Sequence, residues 1–285
     1  MTEQAATRDT LPLVIGHRGA SAAAPENTLA SFERALRDGA DGLEFDVRLA
    51  ADGVPVVIHD ATLRRTAGLD ATLAALSSSS LGDVDVGSWF NRRFPARACP
   101  EYERERVPTL ARVLELFAPR CRALYVEIKC DPADAHAHAR AVAGLLRADA
   151  HAARCAVVES FTLEAIAEVK RLAPGVRTAA LFERTLRHPH ATAVALVERA
   201  TAHGADELAL HRSMVTRRAV EAARAADLSV AVWTVDHLAW AARARELGLR
   251  ALITNRPARL RSALDAISGR AGITHGRDTA GESSR

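Results

Sequence analysis

From Leu13 onward, short apolar runs alternate with amphipathic stretches. The run LVIG predicts a buried strand, and the segment ENTLASFERALRDGA after it predicts a helix whose apolar face carries Leu29, Phe32 and Leu36. GLEFDVRL predicts a second strand, and ADGVPVVIHD adds a DG turn and another short apolar run. The first helix starts around PENT, where we expect Asn27 either to cap the helix or to contact a neighbouring site.

The same rhythm continues to the last strand. Further strands are predicted at ALYVEIK, CAVVES, VRTAALF, ADELALH, LSVAVWTV and LRALIT, and helical stretches such as FTLEAIAEVKRL separate them. Eight strand–helix units in one chain of 285 residues favour an α/β fold of the closed (β/α)₈, or TIM-barrel, type. We expect a single barrel domain over residues 11–265, an insertion at about 61–106 after the second strand, and flexible termini at 1–10 and 269–285.

Composition narrows the class of protein. The 38 Lys+Arg and 35 Asp+Glu are scattered along the chain, so we do not expect a nucleic-acid partner. The four cysteines form no CxxC pair, and we expect reduced thiols. The polar start MTEQAATRDT lacks a signal-peptide core, and no apolar run reaches the roughly 18 residues of a membrane span. These features predict a cytoplasmic protein without stable membrane insertion, and they leave the oligomeric state open.

Ionisable residues cluster where the predicted strands end. Active-site residues of such barrels lie at the carboxyl ends of the strands, and residues two apart on a strand share one face. We therefore expect one group of side chains to converge there: His17, Arg18, Glu44, Asp46, His59, Glu127 and Lys129.

The carboxylates of this group suit a hard cation. Burying Glu44, Asp46 and Glu127 together without a cation would be costly through desolvation and mutual repulsion. Oxygen ligands of this kind favour Mg²⁺ or Ca²⁺, so we expect one such ion. Ion pairing with nearby arginines and Lys129 is the alternative, and it is the better one for a single carboxylate.

The remaining groups suit phosphoryl chemistry. His17 and His59 titrate near neutrality and can act as a general acid–base pair. Arg18 and Lys129 would neutralise a bound anion, the arginine through a planar fork that matches phosphate oxygens. A cation, two histidines and two cationic side chains predict cleavage of a phosphate ester.

The run HRGASAAAPENTLASFERALRDGADGLEFDVRLAADGVPVVIHDATLRRTAG resembles the signature region of the glycerophosphodiester phosphodiesterase family, among the phospholipase-C-like phosphodiesterase barrels. DVGSWF, VPTLARVLEL, YVEIK, ESF, VWTV and ALITNRP match in the same order, and the resemblance extends from Leu13 to about Leu260. It implies metal ligation by Glu44, Asp46 and Glu127, and the hydrolysis of small glycerophosphodiesters to sn-glycerol 3-phosphate and an alcohol.

The resemblance also implies individual roles. His17 would be the base and His59 the acid, Arg18 and Lys129 would contact the phosphate, and Trp233 would line the substrate pocket. Phe161 can pack against the glycerol moiety, and His211 faces the same rim. We expect Gly19 to let the chain turn close to the ligand. Asn255 stands where the family often has Asp in a TDRP-like stretch, and we expect this difference to affect only loop details and substrate preference.

Two other functions stay open. A lysophospholipase D or sphingomyelinase D-like enzyme could use the same barrel, and an apolar rim around Trp89 and Phe90 of the insertion would favour it. The second open function is a non-catalytic one, in which the barrel binds a phosphodiester as a sensor or scaffold without cleaving it. The full set of acid, base and metal candidates weighs against this function. Whether water or a substrate hydroxyl attacks the phosphorus also stays open.

Overall fold

The structure, a computed structural model, describes residues 11–184 and 192–274, with side chains as far as residue 269. Its strands are β1 (Leu13–His17), β2 (Gly42–Leu49), β3 (Pro55–Val57), β4 (Ala123–Ile128), β5 (Ala156–Ser160), β6 (Arg177–Phe182), β7 (Glu207–His211), β8 (Ser229–Trp233) and β9 (Ala251–Thr254). All except β3 run parallel to their neighbours. Because β1 pairs with both β2 and β9, the sheet closes into a barrel, which confirms the predicted (β/α)₈ fold.

Helices surround the barrel. They are α1 (Leu29–Arg37), α2 (Arg64–Ala67), α3 (Ser78–Leu81), α4 (Ser88–Arg93), α5 (Leu110–Phe117), α6 (Ala135–Ala148), α7 (Ala150–Cys155), α8 (Leu163–Leu172), α9 (Ala193–Ala202), α10 (Arg217–Ala225), α11 (Ala239–Leu247) and α12 (Pro257–Thr274). Thr28 caps α1, because its hydroxyl accepts a hydrogen bond from the backbone N–H of Ser31 at 3.2 Å. The expected cap at Asn27 is therefore wrong, and the alternative, a contact with the site, is what the structure shows.

Alternation along the strands fills the barrel. Ile15, Tyr125, Val157, Leu181 and Ile253 point inward and pack as one buried cluster. Their inward neighbours toward the carboxyl ends of the strands are polar or charged, which places ionisable groups above an apolar floor. The fold thus separates a packed, stabilising layer from a layer available for chemistry.

Gly19 follows β1 with a φ of 83°, a conformation that favours glycine. A Cβ at this position would lie 2.4 Å from the hydroxyl oxygen of Ser31 in α1. The glycine thus allows the strand end to pack against the first helix. The close approach that we expected toward a ligand is, in the structure, an approach to α1.

The segment between β3 and α5 contains α2, α3, α4 and short 3₁₀ turns, and it has an apolar core of its own. Leu63, Leu81 and Val86 pack there against Val56 of β3. Phe90 is fully buried, and the indole N–H of Trp89 donates to a backbone carbonyl at 2.8 Å. These two aromatic side chains form part of an internal cluster, so Phe90 does not supply the exposed apolar rim that would have favoured the lipid-cleaving alternative.

The last helix, α12, extends to Thr274, so the part of the expected flexible tail from 269 to 274 is helical. Residues 1–10 and 275–285, the rest of the expected flexible termini, lie outside the described residues. In the described ranges, every helix is too short or too polar to cross a bilayer.

Candidate active site

Three acidic side chains meet at the carboxyl end of the barrel. Glu44 and Asp46 point inward from β2, and Glu127 lies beside Asp46 in the register between β2 and β4. All three are buried, and one carboxylate oxygen from each lies within 4.8 Å of the others. The structure therefore brings together the three residues that we expected to bind a cation.

Two cationic side chains border these carboxylates. The Lys129 ammonium lies 2.7 Å from Glu127 Oε1 and 3.2 Å from Asp46 Oδ1. Arg18 Nε lies 3.0 Å from Asp46 Oδ2, and the Arg18 backbone N–H donates to Glu44 Oε2 at 2.9 Å. The ion pairing considered as an alternative to metal binding is therefore present, but two cations face three carboxylates and leave an excess of negative charge.

The pKa values reflect this imbalance. Burial, together with the neighbouring charge of Asp46, raises the pKa of Glu44 well above its usual value and raises that of Glu127 to about 7. Burial also acts on Asp46, but the charges of Arg18 and Lys129 outweigh it and hold the pKa of Asp46 below its usual range. Glu44 and Glu127 thus carry their charge at a cost that a bound divalent cation would remove. The clustered oxygen donors fit a hard cation.

His17, at the end of β1, is held through a chain of hydrogen bonds. Asn255 Nδ2 donates to Asp236 Oδ2 at 2.7 Å, so the Asn255 carbonyl oxygen faces the imidazole and accepts from His17 Nδ1 at 2.7 Å. This arrangement places the proton on Nδ1 and leaves a lone pair on Nε2, which lies 3.8 Å from Glu44 Oε2. Burial and the charge of Arg18 lower the pKa of His17 to about 4, so the ring is neutral near pH 7.

His59 follows β3 and faces the same space from the other side. Its Nδ1 lies 2.6 Å from Asp60 Oδ1, and Asp60 in turn accepts from Arg65 Nε at 2.6 Å. Arg65 also donates to both carboxylate oxygens of Glu26 at 2.8 Å. Burial lowers the pKa of His59 from its usual value. An acidic partner on Nδ1 leaves Nε2 as the nitrogen that can exchange a proton with a ligand.

A cavity of about 180 Å³ joins these groups. Its polar side is formed by the two histidines, Arg18, Lys129 and glutamate side chains that include Glu44 and Glu127, and its apolar side by Leu181, Trp233 and Ile253 together with Phe161. The Trp233 indole N–H donates to the backbone carbonyl of Ala209 at 3.1 Å, so the ring offers the cavity an apolar surface. Phe161 meets Trp233 edge to face at 5.6 Å.

The structure separates His211 from the other expected residues. Its ring packs 5.2 Å from that of Trp233, and its Nδ1 lies 2.8 Å from the hydroxyl of Ser213. Among the described residues that line the cavity, His211 is not one. It supports Trp233 from outside the cavity.

Sequence reasoning left the partner of Asn27 unspecified, gave Asn255 a minor role and missed Glu159. Asn27 has a φ of 57° and donates its side-chain amide to Asp46 Oδ2 at 2.8 Å. Asn255, expected to influence only loop details and substrate preference, holds His17. Glu159 lines the cavity from β5 and is 1% exposed. Glu159 could have been found from the sequence, since it is the fourth residue of the run AVVES and lies two residues after Val157, on the same inward face.

Comparisons with known proteins identify the family of the chain. The model of the glycerophosphoryl diester phosphodiesterase family matches residues 17–259. A glycerophosphodiester phosphodiesterase from Caldanaerobacter subterraneus is 29% identical over 251 residues, covering 86% of this chain and 94% of the relative. One from Bacillus subtilis is 31% identical over 175 residues, covering 60% of this chain and 59% of the relative.

A solved structure is similar throughout the fold. A phosphodiesterase from Oleispira antarctica, in complex with the product sn-glycerol 3-phosphate, superimposes with a TM-score of 0.75 at 28% identity. The match covers 91% of this chain and 99% of that one. The family model spans all of the site residues from His17 to Asn255, which are the residues that the barrel brings together. The chain therefore belongs to the glycerophosphoryl diester phosphodiesterase family and is an enzyme of that family.

Proposed function

We propose that this enzyme hydrolyses small glycerophosphodiesters to sn-glycerol 3-phosphate and an alcohol, with one divalent cation, Mg²⁺ or Ca²⁺, held by Glu44, Asp46 and Glu127. The observation that carries the proposal is the cluster of these three buried carboxylates at a cavity that Glu44 and Glu127 line together with two oriented imidazoles. The product in the Oleispira antarctica structure supports the choice of substrate. When bound, such a cation supplies charge neutralisation and polarisation of the phosphoryl oxygens.

The side chains divide the remaining work. Arg18 and Lys129 provide positive charge for the phosphate oxygens at the border of the acidic cluster. His17 takes a proton at Nε2 from the attacking hydroxyl group, because its Nδ1 is occupied by Asn255. His59 acts in its protonated form, which Asp60 stabilises through Nδ1, and it gives the proton on Nε2 to the leaving alcohol oxygen.

The two halves of the substrate have separate space. The 180 Å³ cavity is bounded by Trp233 and Leu181, whereas a neighbouring cavity of about 350 Å³ is lined by Phe161, Lys129 and Asp131. Because the two cavities share Phe161 and Lys129, a phosphate at their junction can direct glycerol into one and the alcohol into the other. The larger and more open cavity is consistent with a variable alcohol.

The test is an activity panel on the purified full chain. Glycerophosphocholine, glycerophosphoethanolamine and glycerophosphoglycerol are incubated with Mg²⁺, Ca²⁺ or excess EDTA, and glycerol 3-phosphate is measured with a coupled dehydrogenase. We expect release with a cation, and a loss of at least a hundredfold with EDTA or after Glu127→Gln. Undiminished release in EDTA contradicts the metal assignment, and no release under any condition contradicts the substrate assignment.

Substitutions separate the histidine roles. His17→Ala and His59→Ala are each expected to lower kcat by 10²–10⁴, the usual contribution of general acid–base catalysis. His203→Ala is the matched control, since His203 makes a similar Nδ1 contact of 2.7 Å with a backbone carbonyl but lies outside the site. A ³¹P NMR time course distinguishes attack by a substrate hydroxyl, which gives a cyclic phosphate, from attack by water. Release of choline from lysophosphatidylcholine at a comparable rate would instead support the lipid-cleaving alternative.

A further inference from the structure

Glu159 is a buried carboxyl group without a partner. It lies on β5 between Glu127 of β4 and Ala179 of β6, it is 1% exposed, and its Oε2 has no hydrogen-bond partner. Among the described residues its side chain also takes part in no recorded ion pair. A buried acceptor without a hydrogen-bond donor costs free energy of desolvation that no contact offsets. A bound ligand with a donor group would offset that cost.

Glu207 shows how the same barrel satisfies a buried glutamate that has a structural role. Its carboxylate accepts hydrogen bonds from Tyr125 at 2.7 Å and Ser229 at 2.9 Å, and it lies 3.1 Å from Arg250 Nε. Glu207 is fully buried at the amino end of the strands and is complete without a ligand. Glu159, at the opposite end, lines the cavity and lacks comparable partners.

The surroundings of Glu159 indicate what it would bind. The cavity wall beyond it is apolar, made by Leu181, Ile253 and Trp233, whose indole N–H is already bonded to a backbone carbonyl. A short carbon chain therefore has apolar surfaces to pack on and one buried acceptor to meet. The phosphate oxygens of a ligand would not bind at Glu159, because both groups are acidic hydrogen-bond acceptors and would repel each other.

A cationic ligand group is also disfavoured. The Lys129 ammonium lies 5.8 Å from the centre of the Phe161 ring, so the aromatic face nearest the acidic cluster already has a cation. Once a divalent cation is held by Glu44, Asp46 and Glu127, an ammonium group in the same 180 Å³ cavity would lie near that ion as well as near Lys129. A hydroxyl group avoids this repulsion and still offers the donor that Glu159 lacks.

We propose that Glu159 is a specificity-determining residue that accepts hydrogen bonds from the hydroxyl groups of the glycerol half of the substrate. This inference rests on the proposed function and deepens it. The phosphate then lies toward Arg18 and Lys129, and the carbon chain lies along Trp233 and Leu181. The substrate class is narrowed to phosphodiesters with a free hydroxyl on that half, because a chain without one leaves a buried polar group unpaired.

The test measures binding, so it does not depend on turnover. Isothermal titration of the cation-loaded protein is done with sn-glycerol 3-phosphate, n-propyl phosphate and phosphocholine. We expect wild type to bind glycerol 3-phosphate at least tenfold more tightly than either other ligand. In Glu159→Leu the preference over n-propyl phosphate falls to below threefold, through loss of glycerol 3-phosphate affinity, while Glu159→Gln, which keeps an acceptor, retains most of the preference.

Glu183→Leu is the matched control, because Glu183 lines the same cavity but is exposed to solvent. Its preference for glycerol 3-phosphate should match that of wild type. An equal loss in Glu183→Leu, an unchanged preference in Glu159→Leu, or tighter binding of phosphocholine than of glycerol 3-phosphate overturns the proposal. So does weaker binding of Mg²⁺ alone to Glu159→Leu, which would make Glu159 a metal ligand. Failure of the activity panel with this preference intact would refute the proposed reaction and leave the hydroxyl recognition standing.

Discussion

Replacing Asn255 by leucine would remove the side chain that fixes the orientation of His17. The imidazole Nδ1 donates to the Asn255 carbonyl oxygen at 2.7 Å, and the amide nitrogen donates to Asp236 at 2.7 Å. Leucine has a similar volume but no acceptor, so both the Nδ1–H and the Asp236 carboxylate lose a partner. His17 can then turn, or move its proton to Nε2, where the lone pair is needed.

The expected loss follows from these contacts. A hydrogen bond contributes about 0.5–1.5 kcal/mol net, and a buried donor without a partner costs about 1–3 kcal/mol. At about 1.4 kcal/mol per factor of ten, Asn255→Leu should lower kcat roughly 10- to 100-fold with little change in KM. The upper limit is about 10⁴, the full contribution of a general base, because the Asn255 side chain acts only through His17.

The assay is steady-state hydrolysis of glycerophosphocholine at pH 8, with Tm measured for every variant. Asn255→Asp keeps an acceptor for His17 Nδ1 and should retain most of kcat, but its carboxylate would face that of Asp236 and lower Tm. Ser21→Ala is the control: the Ser21 hydroxyl donates to the same Asn255 oxygen at 2.8 Å, and its removal leaves the imidazole contact intact. A change in kcat of less than twofold in a folded Asn255→Leu protein would refute the positioning role.

Three further predictions concern the cation, the barrel wall and the acidic cluster. A divalent cation at 100 times its Kd should stabilise the protein by about 2.7 kcal/mol and raise Tm by roughly 5–10 °C in scanning fluorimetry. Glu127→Gln should abolish this shift in Tm, and equal shifts in both proteins would contradict cation binding by Glu127. Gly42→Ala should lower the free energy of unfolding in urea by more than about 1 kcal/mol, because its Cβ would lie 1.9 Å from the Ala123 carbonyl oxygen of the neighbouring strand β4. Gly144→Ala on α6, where a Cβ meets open space, should raise it by about 0.5–1 kcal/mol. The opposite order of stability would contradict this packing. Asn27→Gly keeps a residue that tolerates positive φ but removes the hydrogen bond from the side-chain amide to Asp46. It should lower kcat/KM about tenfold with little change in KM, and unchanged kinetics would show that Asn27 only shapes the turn.

The barrel could be predicted because its strands are nearly continuous apolar runs, which is what burial on both faces requires. The convergence of His17, Glu44 and Glu127 follows from the same rule, since parallel strands end at the same rim and alternate residues share a face. Both inferences depend on local periodicity and on one general property of the fold, and neither needs a particular tertiary contact.

Asn27 and Asn255 show where this reasoning ends. Two adjacent residues of PENT can each cap a helix, and Thr28 does so because α1 begins one residue later than the alternative required. Asn27 then adopts a φ of 57° and reaches Asp46, a contact that sequence spacing cannot reveal. The role of Asn255 likewise depends on Asp236, whose loop meets β9 only in the closed barrel.

The insertion is linked to the two proposed catalytic side chains by Arg65 of α2. Arg65 of α2 donates to Glu26, which also accepts from Arg18 at 2.9 Å, and it donates to Asp60, which holds His59. Hydrogen bonds to Glu26, together with those to Asp60, raise the pKa of Arg65, so the link stays charged at any ordinary pH. Arg18, which we propose contacts the phosphate, and His59, the proposed acid, are therefore oriented by a single chain of charged groups that starts in the insertion. Without Arg65, Glu26 would be left to pair with Arg18 alone and Asp60 with His59 alone, so we expect the insertion to help orient both side chains as well as to cover the barrel.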